Sequence, residues 1–260
     1  MEILKNRKTL RHIEKTMPII DEGSLHELLI EDVSLRLVEP QIYSTFHNGD
    51  NPNFFDKMAR FYDVVICNPL YNRLMWGYSV TSYAAIVHDA LAAKDGWVLD
   101  VGCGSLAFSA KKYKKCTERP IVFFDHSLNL LRIAKSRMIK LNGTVPSNMV
   151  FLQGDALHLP FKPKCFDTII SLNLLHVLAD VKQALSVLGN VLADDGTMSF
   201  TTLVKNNRRA DKYLEKMLKK ASGTAPRDIG QLQAVFDELG LPVKYEMSGN
   251  MAFIYYGWNS

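Results

Sequence analysis

The chain has 260 residues, 47% of them hydrophobic, enough for one large core or for a domain with an appendage; the second division is expected. No apolar run approaches the ~20 residues that cross a bilayer, and Met1-Glu2-Ile3-Leu4-Lys5-Asn6-Arg7-Lys8 lacks the apolar middle of a secretion signal, so a cytoplasmic protein is expected. The net charge of +4 gathers at Lys111-Lys112-Tyr113-Lys114-Lys115 and along Lys205 to Lys220, runs that read as solvated helix faces or as contact with an anionic partner such as a membrane surface or RNA. Four cysteines, Cys67, Cys103, Cys116 and Cys165, form no C-x-x-C pair, which argues against a zinc site or a disulfide framework and for reduced thiols.

In chain order, residues 1–54 offer a helix near Ser24 to Ile30, the alternating Val33-Ser34-Leu35-Arg36-Leu37 and a Gly/Asn/Pro turn region at Asn48 to Asn53. They carry no recognisable chemistry and read as a lid, a cap or a dimerisation arm. A helix is expected over Phe55 to Tyr62, and another from the N-cap candidates at Ser79-Val80-Thr81-Ser82 through Ala93. From residue 97 short apolar runs alternate with helical patterns, as in a parallel sheet covered by helices on both faces. The strands are Trp97 to Val101, Ile121 to Asp125, Met149 to Gln153, Thr168 to Leu172 and Thr197 to Leu203. Leu232, Val235, Phe236 and Leu239 mark an amphipathic helix from about Pro226 that Gly240 ends. Val243 to Met247 and Met251 to Tyr256 are separated only by Ser248-Gly249-Asn250, too short for a helical crossover, so this pair is antiparallel.

The most informative stretch is Val98-Leu99-Asp100-Val101-Gly102-Cys103-Gly104 with Ile121-Val122-Phe123-Phe124-Asp125 after it. A buried strand that breaks into two glycines lets the backbone approach a ligand closely, because glycine has no side chain to hold the ligand off. Asp125 lies twenty-one residues past Gly104, about the separation at which doubly wound folds place a carboxylate on ribose hydroxyls. The pattern reads as a nucleoside-cofactor cradle. A nicotinamide site is disfavoured, because Gly102-Cys103-Gly104-Ser105-Leu106-Ala107 lacks the third glycine of a pyrophosphate loop.

With Asp100 ahead of the glycines, Asp125-His126-Ser127 after the second strand, Gly154-Asp155-Ala156 after the third and Phe166-Asp167-Thr168-Ile169-Ile170 opening the fourth, the chain resembles class I S-adenosylmethionine-dependent methyltransferases. Phe55-Asp56-Lys57-Met58-Ala59-Arg60-Phe61-Tyr62-Asp63 and Leu175-His176-Val177-Leu178 look most like the small-molecule branch that includes quinone-biosynthesis enzymes. The likeness covers about residues 55–260. It implies an α/β fold with a doubly wound, seven-stranded, mostly parallel Rossmann-like sheet, an antiparallel C-terminal pair and an N-terminal extension at 1–54. The implied cofactor is S-adenosyl-L-methionine, leaving S-adenosyl-L-homocysteine.

The resemblance also implies roles. Asp100, Gly102, Cys103 and Gly104, with Ser109 further on, belong to the amino-acid end of the cofactor. Asp125, followed by His126, accepts from both ribose hydroxyls, as an acceptor-only carboxylate can. Asp155 accepts from the adenine amino group while the Ala156 amide addresses a ring nitrogen. Ser171, Leu172 and Asn173 flank the methionine part and the methyl group, and Tyr62 closes over the cofactor. Leu106 stands where many relatives have a third glycine, which narrows the loop or shifts the following helix.

Val64-Val65-Ile66-Cys67-Asn68-Pro69-Leu70-Tyr71 resembles the N-P-P-Y motif of methyltransferases acting on DNA bases, but Leu70 replaces the second proline and the fourth-strand slot is already taken, so Asn68 to Gly77 is read as a helix walling the substrate pocket. His176 is the candidate catalytic residue, removing a proton from the acceptor, or else a histidine hydrogen-bonded within the wall. Phe54, Phe55, Phe61, Tyr62, Tyr71, Trp76 and Tyr78 form either core or an apolar chamber for an aromatic or lipid-like molecule. The expected function is methyl transfer to a small organic acceptor at oxygen, carbon or nitrogen. An RNA- or protein-directed methyltransferase and a catalytically inactive binding protein are the alternatives.

Overall fold

The computed structural model describes residues 18–46, 68–206 and 208–258. Its first element, α1 (Glu22–Leu28), begins where Asp21 accepts the Ser24 amide at 2.8 Å, and it buries Leu25 and Leu28. A hairpin follows, β1 (Arg36–Glu39) and β2 (Ile42–Ser44). Asn68 caps α2 (Pro69–Tyr71), which runs into a π-helical turn, Asn72–Trp76, closed by Gly77 in the left-handed conformation. The helix expected over Phe55 to Tyr62 and the turn region Asn48 to Asn53 lie outside the described residues.

The remaining elements are α3 (Thr81–Ala93), β3 (Val98–Val101), α4 (Ala110–Tyr113), β4 (Ile121–Asp125), α5 (Leu128–Asn142), β5 (Met149–Gln153), β6 (Phe166–Leu172), α6 (Val181–Val191), β7 (Leu192–Leu203), α7 (Arg208–Ala221), α8 (Ile229–Glu238), β8 (Val243–Ser248) and β9 (Met251–Tyr256). Caps set several of the helix starts. Ser127 accepts the Leu130 amide at the head of α5, Asp180 accepts the Gln183 amide at α6, and Asp228 with Gln231 forms a capping box at α8.

The strands form one sheet in the order β1-β2-β5-β4-β3-β6-β7-β9-β8. From β2 to β7 every neighbouring pair is parallel, and β9 and β8 complete one edge antiparallel, as the short Ser248-Gly249-Asn250 connection requires. The seven strands read from the sequence are all present, and the hairpin adds two more: β2 pairs with β5 at Ile42↔Phe151, and β1 becomes the edge. Part of the N-terminal extension is therefore continuous with the central sheet.

Alternation along each strand sends side chains to two cores. In β4, Ile121 and Phe123 pack with α3, α4, α5 and α7, whereas Val122 and Phe124 pack with α1, α6 and α8. A buried arginine joins the amino ends of the central strands. Arg119 donates to the carbonyls of Gly96, Leu91 and Asp95 and to the Thr168 hydroxyl at 2.9 Å, while Asp167 accepts the Trp97 amide at 2.7 Å. The acid of the Phe166-Asp167-Thr168 motif thus aligns β3 against β6. Replacing Arg119 by alanine strands these acceptors in a dry site, and we expect Arg119→Ala to lose about 2–4 kcal/mol of folding stability in urea titrations; a loss below half a kcal/mol would show that the staple is dispensable.

Candidate active site

At the carboxyl ends of β3 and β6 the strand order reverses, since β3 has β4 on one side and β6 on the other. Crevices at such switch points are where open α/β sheets bind ligands. A cleft opens here, lined by the glycine loop after β3, by Asp125 and His126 after β4, by Asp155 and Ala156 after β5, and by Leu172, Asn173 and Leu174 at the end of β6.

The loop is held from two sides. Asp125 accepts the Gly104 amide on one carboxylate oxygen and the Ser127 amide on the other, each at 2.8 Å. Arg137, on α5, donates to the Ser105 carbonyl and, at 3.1 Å, to its hydroxyl. Gly102 has φ +67°, and a Cβ there would meet the Leu174 side chain at 3.0 Å; Gly104 has φ +55° and open space beside it. Conformation requires both glycines, and crowding by Leu174 adds a second reason only at Gly102. Leu106 has φ +55°, so it adopts the left-handed conformation that favours glycine, and it is 1% exposed. The strain, about 1–2 kcal/mol, is matched by burial of a leucine side chain at about 1.5–3 kcal/mol. The following helix, α4, then runs only from Ala110 to Tyr113.

Of the residues singled out in the sequence, Gly102, Gly104, Asp125, His126, Asp155, Ala156, Leu172 and Asn173 line the cleft. Asp100, Cys103, Ser109, Ser171 and His176 do not, and Tyr62 lies outside the described residues. Asp100 is buried beneath the loop: one oxygen accepts the Tyr113 hydroxyl at 2.7 Å and the other has no partner among the described residues. Burial pushes its pKa up to about 7, against the Tyr113 hydrogen bond, and the nearby Asp125 adds to the rise. Burial also carries the Cys103 thiol well above its ordinary range, so it is no thiolate nucleophile.

The geometry of His176 runs against proton removal and matches the second reading, a histidine within the wall. Its Nδ1 lies 3.4 Å from the Leu203 amide and 3.3 Å from the Thr202 hydroxyl. Because the amide can only donate, Nδ1 is the acceptor and Nε2 carries the proton. Burial lowers its pKa to about 4, so the ring is neutral at physiological pH and a poor proton acceptor. Asn68 to Gly77 is helical but lines a different region: Asn250 donates its amide to the Trp76 carbonyl at 2.8 Å, and Tyr71 meets Tyr213 of α7. Trp76 and Tyr78 are core residues, and none of Tyr71, Trp76 and Tyr78 lines the cleft.

Two contributions escaped the sequence. Phe46, just past β2, packs its ring against His126 with centroids 5.1 Å apart, and Thr45 bonds the Gln153 carbonyl through both amide and hydroxyl. The N-terminal extension thereby reaches the β4–β5 side of the cleft; only Phe46 as an aromatic after an alternating stretch could have hinted at it. The other is a buried chain of hydrogen bonds from Asn173 through Tyr83 and Tyr78 to Asn72.

The rim fits a nucleoside. Asp125 is an acceptor-only group that lines the cleft and is oriented by two amide bonds, the kind of group a ribose diol needs. At β5, Asp155 uses its carboxylate on the Leu157 amide and on His158, and remains an acceptor beside Ala156. The Asp100 oxygen that Tyr113 does not reach is a further polar atom beneath the loop, an acceptor when Asp100 is ionised and the proton carrier when it is neutral.

Known proteins resemble the chain in sequence and in fold. The protein MJ1252 of Methanocaldococcus jannaschii is 29% identical over 189 residues, 68% of this chain and 64% of its own length. Its compatriot MJ0638 is 26% identical over 165 residues, 64% of this chain and 60% of its own. The chain thus spans less than two thirds of these relatives. Among solved structures, a SAM-dependent methyltransferase from Aquifex aeolicus superposes with a TM-score of 0.57 at 18% identity, covering 78% of this chain and 98% of that one. The complex of the Haloferax volcanii Trm112 methyltransferase activator with a methyltransferase gives 0.60 at 17% identity, covering 80% and 98%. At these identities the structures establish the fold.

The two neutral buried groups oppose one another in pH dependence. Between about pH 4 and 6.5 the folded chain keeps a proton on Asp100 and none on His176, whereas the unfolded chain reverses both, so unfolding exchanges no net proton through this pair. Asp100 alone makes stability fall as pH rises from about 4 to 7, and His176 alone makes it fall as pH drops from about 6.5 to 4. We expect Asp100→Asn to show stability rising by up to about 1.4 kcal/mol per pH unit in the shared window and His176→Gln the opposite slope, relative to wild type, in urea titrations at a series of pH values. Equal slopes in all three proteins would contradict these charge states. A family profile described as a methyltransferase domain matches residues 92–238, more than half of the chain, and the chain belongs to that family.

Proposed function

We propose that the protein transfers a methyl group from S-adenosyl-L-methionine to a small organic acceptor. The observation that carries this reading is the row at the switch point of the acceptors Asp155 and Asp125 and the glycine loop, in the strand order β5, β4, β3. Asp155 and Ala156 receive the purine, Asp125 the ribose and the loop of Gly102 to Gly104 the amino-acid end. The bound cofactor supplies an electrophilic methyl carbon on a sulfonium. The chain's part is to hold the acceptor in line with that carbon and to exclude water; displacement at a sulfonium demands a base only where the acceptor must lose a proton to become nucleophilic.

The small-molecule reading is supported by the far side of the cleft, where Leu172, Leu174, Val177 and Leu178 provide an apolar wall. We assign His176 to that wall's support. The extension at 1–54 serves as a cap on the nucleoside end through Phe46, attached to a transferase domain at 55–260. Transfer to RNA or protein is a second reading, favoured by the exposed lysines along α7 and after α4; it requires polyanion affinity that falls steeply as salt rises, and a salt-insensitive or absent interaction would remove it.

Calorimetry with S-adenosylhomocysteine tests the cofactor assignment. We expect Asp125→Ala to weaken binding by about 1.5–3 kcal/mol, the range for hydrogen bonds to a charged group, with part of the loss arising from the released Gly104 amide. Unaltered affinity in a folded variant would contradict the role given to Asp125.

A further inference from the structure

The hydrogen-bond chain behind the cleft has a direction set by the backbone carbonyl at its far end. Asn72 lies 2.9 Å from the Asn68 carbonyl oxygen, an atom that can only accept, so Asn72 presents Nδ2 to it. Its Oδ1 therefore faces Tyr78, whose hydroxyl, 2.5 Å away, spends its single proton there. Tyr83, with its oxygen 2.7 Å from that of Tyr78, must donate in turn. Asn173, 2.6 Å from the Tyr83 oxygen, is left to donate Nδ2. Every proton points away from the cleft, and the amide of Asn173 cannot flip while the chain is intact.

The other end of that amide is unsatisfied. Asn173 Oδ1 is buried with no partner among the described residues, on a residue that lines the cleft and is held at φ +60° while its own amide donates to the Thr201 carbonyl. A non-glycine residue held left-handed at a strand end is a feature of functional sites. On this side of the cleft, around Leu172, Leu174, Val177 and Leu178, no other described lining residue offers a polar side chain; Asp125, His126 and Asp155 all belong to β4 and β5.

We propose that Asn173 Oδ1 receives an N–H of the methyl acceptor, and that the acceptor is an amine. The inference rests on the cofactor placement proposed above: with purine and ribose over β5 and β4, the reacting end lies over β3 and β6, beside Asn173. An amine brings both the hydrogen that the amide oxygen accepts and a lone pair for the methyl carbon. A carbon nucleophile or a thioether brings no such hydrogen, and a hydroxyl needs a base, which no described lining residue on this side supplies. The amine lone pair forms the N–C bond as the C–S bond breaks toward sulfur, and the resulting alkylammonium releases its proton to solvent. Asn173 is a positioning acceptor, and Tyr83, Tyr78 and Asn72 fix which atom it shows.

The test compares two ligands that share every group except one. S-adenosylhomocysteine has a bare sulfur, whereas sinefungin carries an amine at the position of the transferred methyl. By calorimetry we expect wild type to prefer sinefungin by tenfold or more, and the preference to collapse toward unity in Asn173→Ala and to fall at least fivefold in Tyr83→Phe, where the amide is free to flip. Tyr83→Phe keeps the ring that stacks on Phe108, so it serves if Asn173→Ala does not fold. A wild-type ratio near one, or a ratio retained in both variants, overturns the inference; the latter includes the case in which Asn173 serves the ammonium that both ligands share. Binding of neither ligand to the folded wild type refutes the cofactor reading itself.

Discussion

The carboxylate of Asp125 is the constraint on which the cleft depends. It stands at the tip of β4 and joins three pieces of chain, its own strand, the glycine loop through the Gly104 amide and the head of α5 through the Ser127 amide. Two amides at 2.8 Å orient the carboxylate before any ligand arrives, which is the preorganisation that the proposed ribose contact requires. The Phe124 carbonyl beside it accepts the amides of Gly102 and Cys103, so the same strand end fixes both edges of the loop.

Around this clamp the fold gathers elements remote in sequence. The hairpin β1–β2 extends the sheet and delivers Phe46 to His126, while Gln153 bridges the Ser44 hydroxyl and the His126 carbonyl. At the opposite flank the turn between β8 and β9 closes on Trp76 and Gly77, so tightly that a Cβ on Gly249 would lie 2.0 Å from the Trp76 carbonyl oxygen. The segment from Asn68 to Gly77 is thereby anchored at one end and reaches Asn173 at the other through the tyrosine chain.

The legible parts of the sequence are those with local causes. Strands β3 to β5 are buried on both faces and read as continuous apolar runs ending in glycine or acid, so their bounds and the Gly102, Gly104, Asp125 and Asp155 positions were visible. The hairpin was not, because β1 and β2 are four and three residues long and owe their existence to pairing with β5 more than a hundred positions away. Leu106 was visible as a missing glycine, but its left-handed backbone depends on burial in a core assembled by α3, α4 and α5. The position of His176 was readable whereas its charge state was not, since the desolvation that lowers its pKa comes from tertiary packing. Tyr78 was read only as core or as part of an apolar chamber, because nothing local announces a connection to a residue as distant as Asn173.

Burial also sorts the charges of the site by use. Asp100 and His176 are held neutral by desolvation across much of the range below pH 7, so neither contributes a steady field. The charged side chains at the rim are then the carboxylates Asp125 and Asp155, and no described lysine or arginine lines the cleft. Such a field favours a cation over a neutral ligand of the same shape. A sulfonium has that charge and the thioether left after transfer has lost it, so under the proposed placement the same two carboxylates would bias the site toward the methylated cofactor over its product. Reversing that preference would take a basic residue among Leu172, Leu174, Val177 and Leu178, where the chain has kept only carbon.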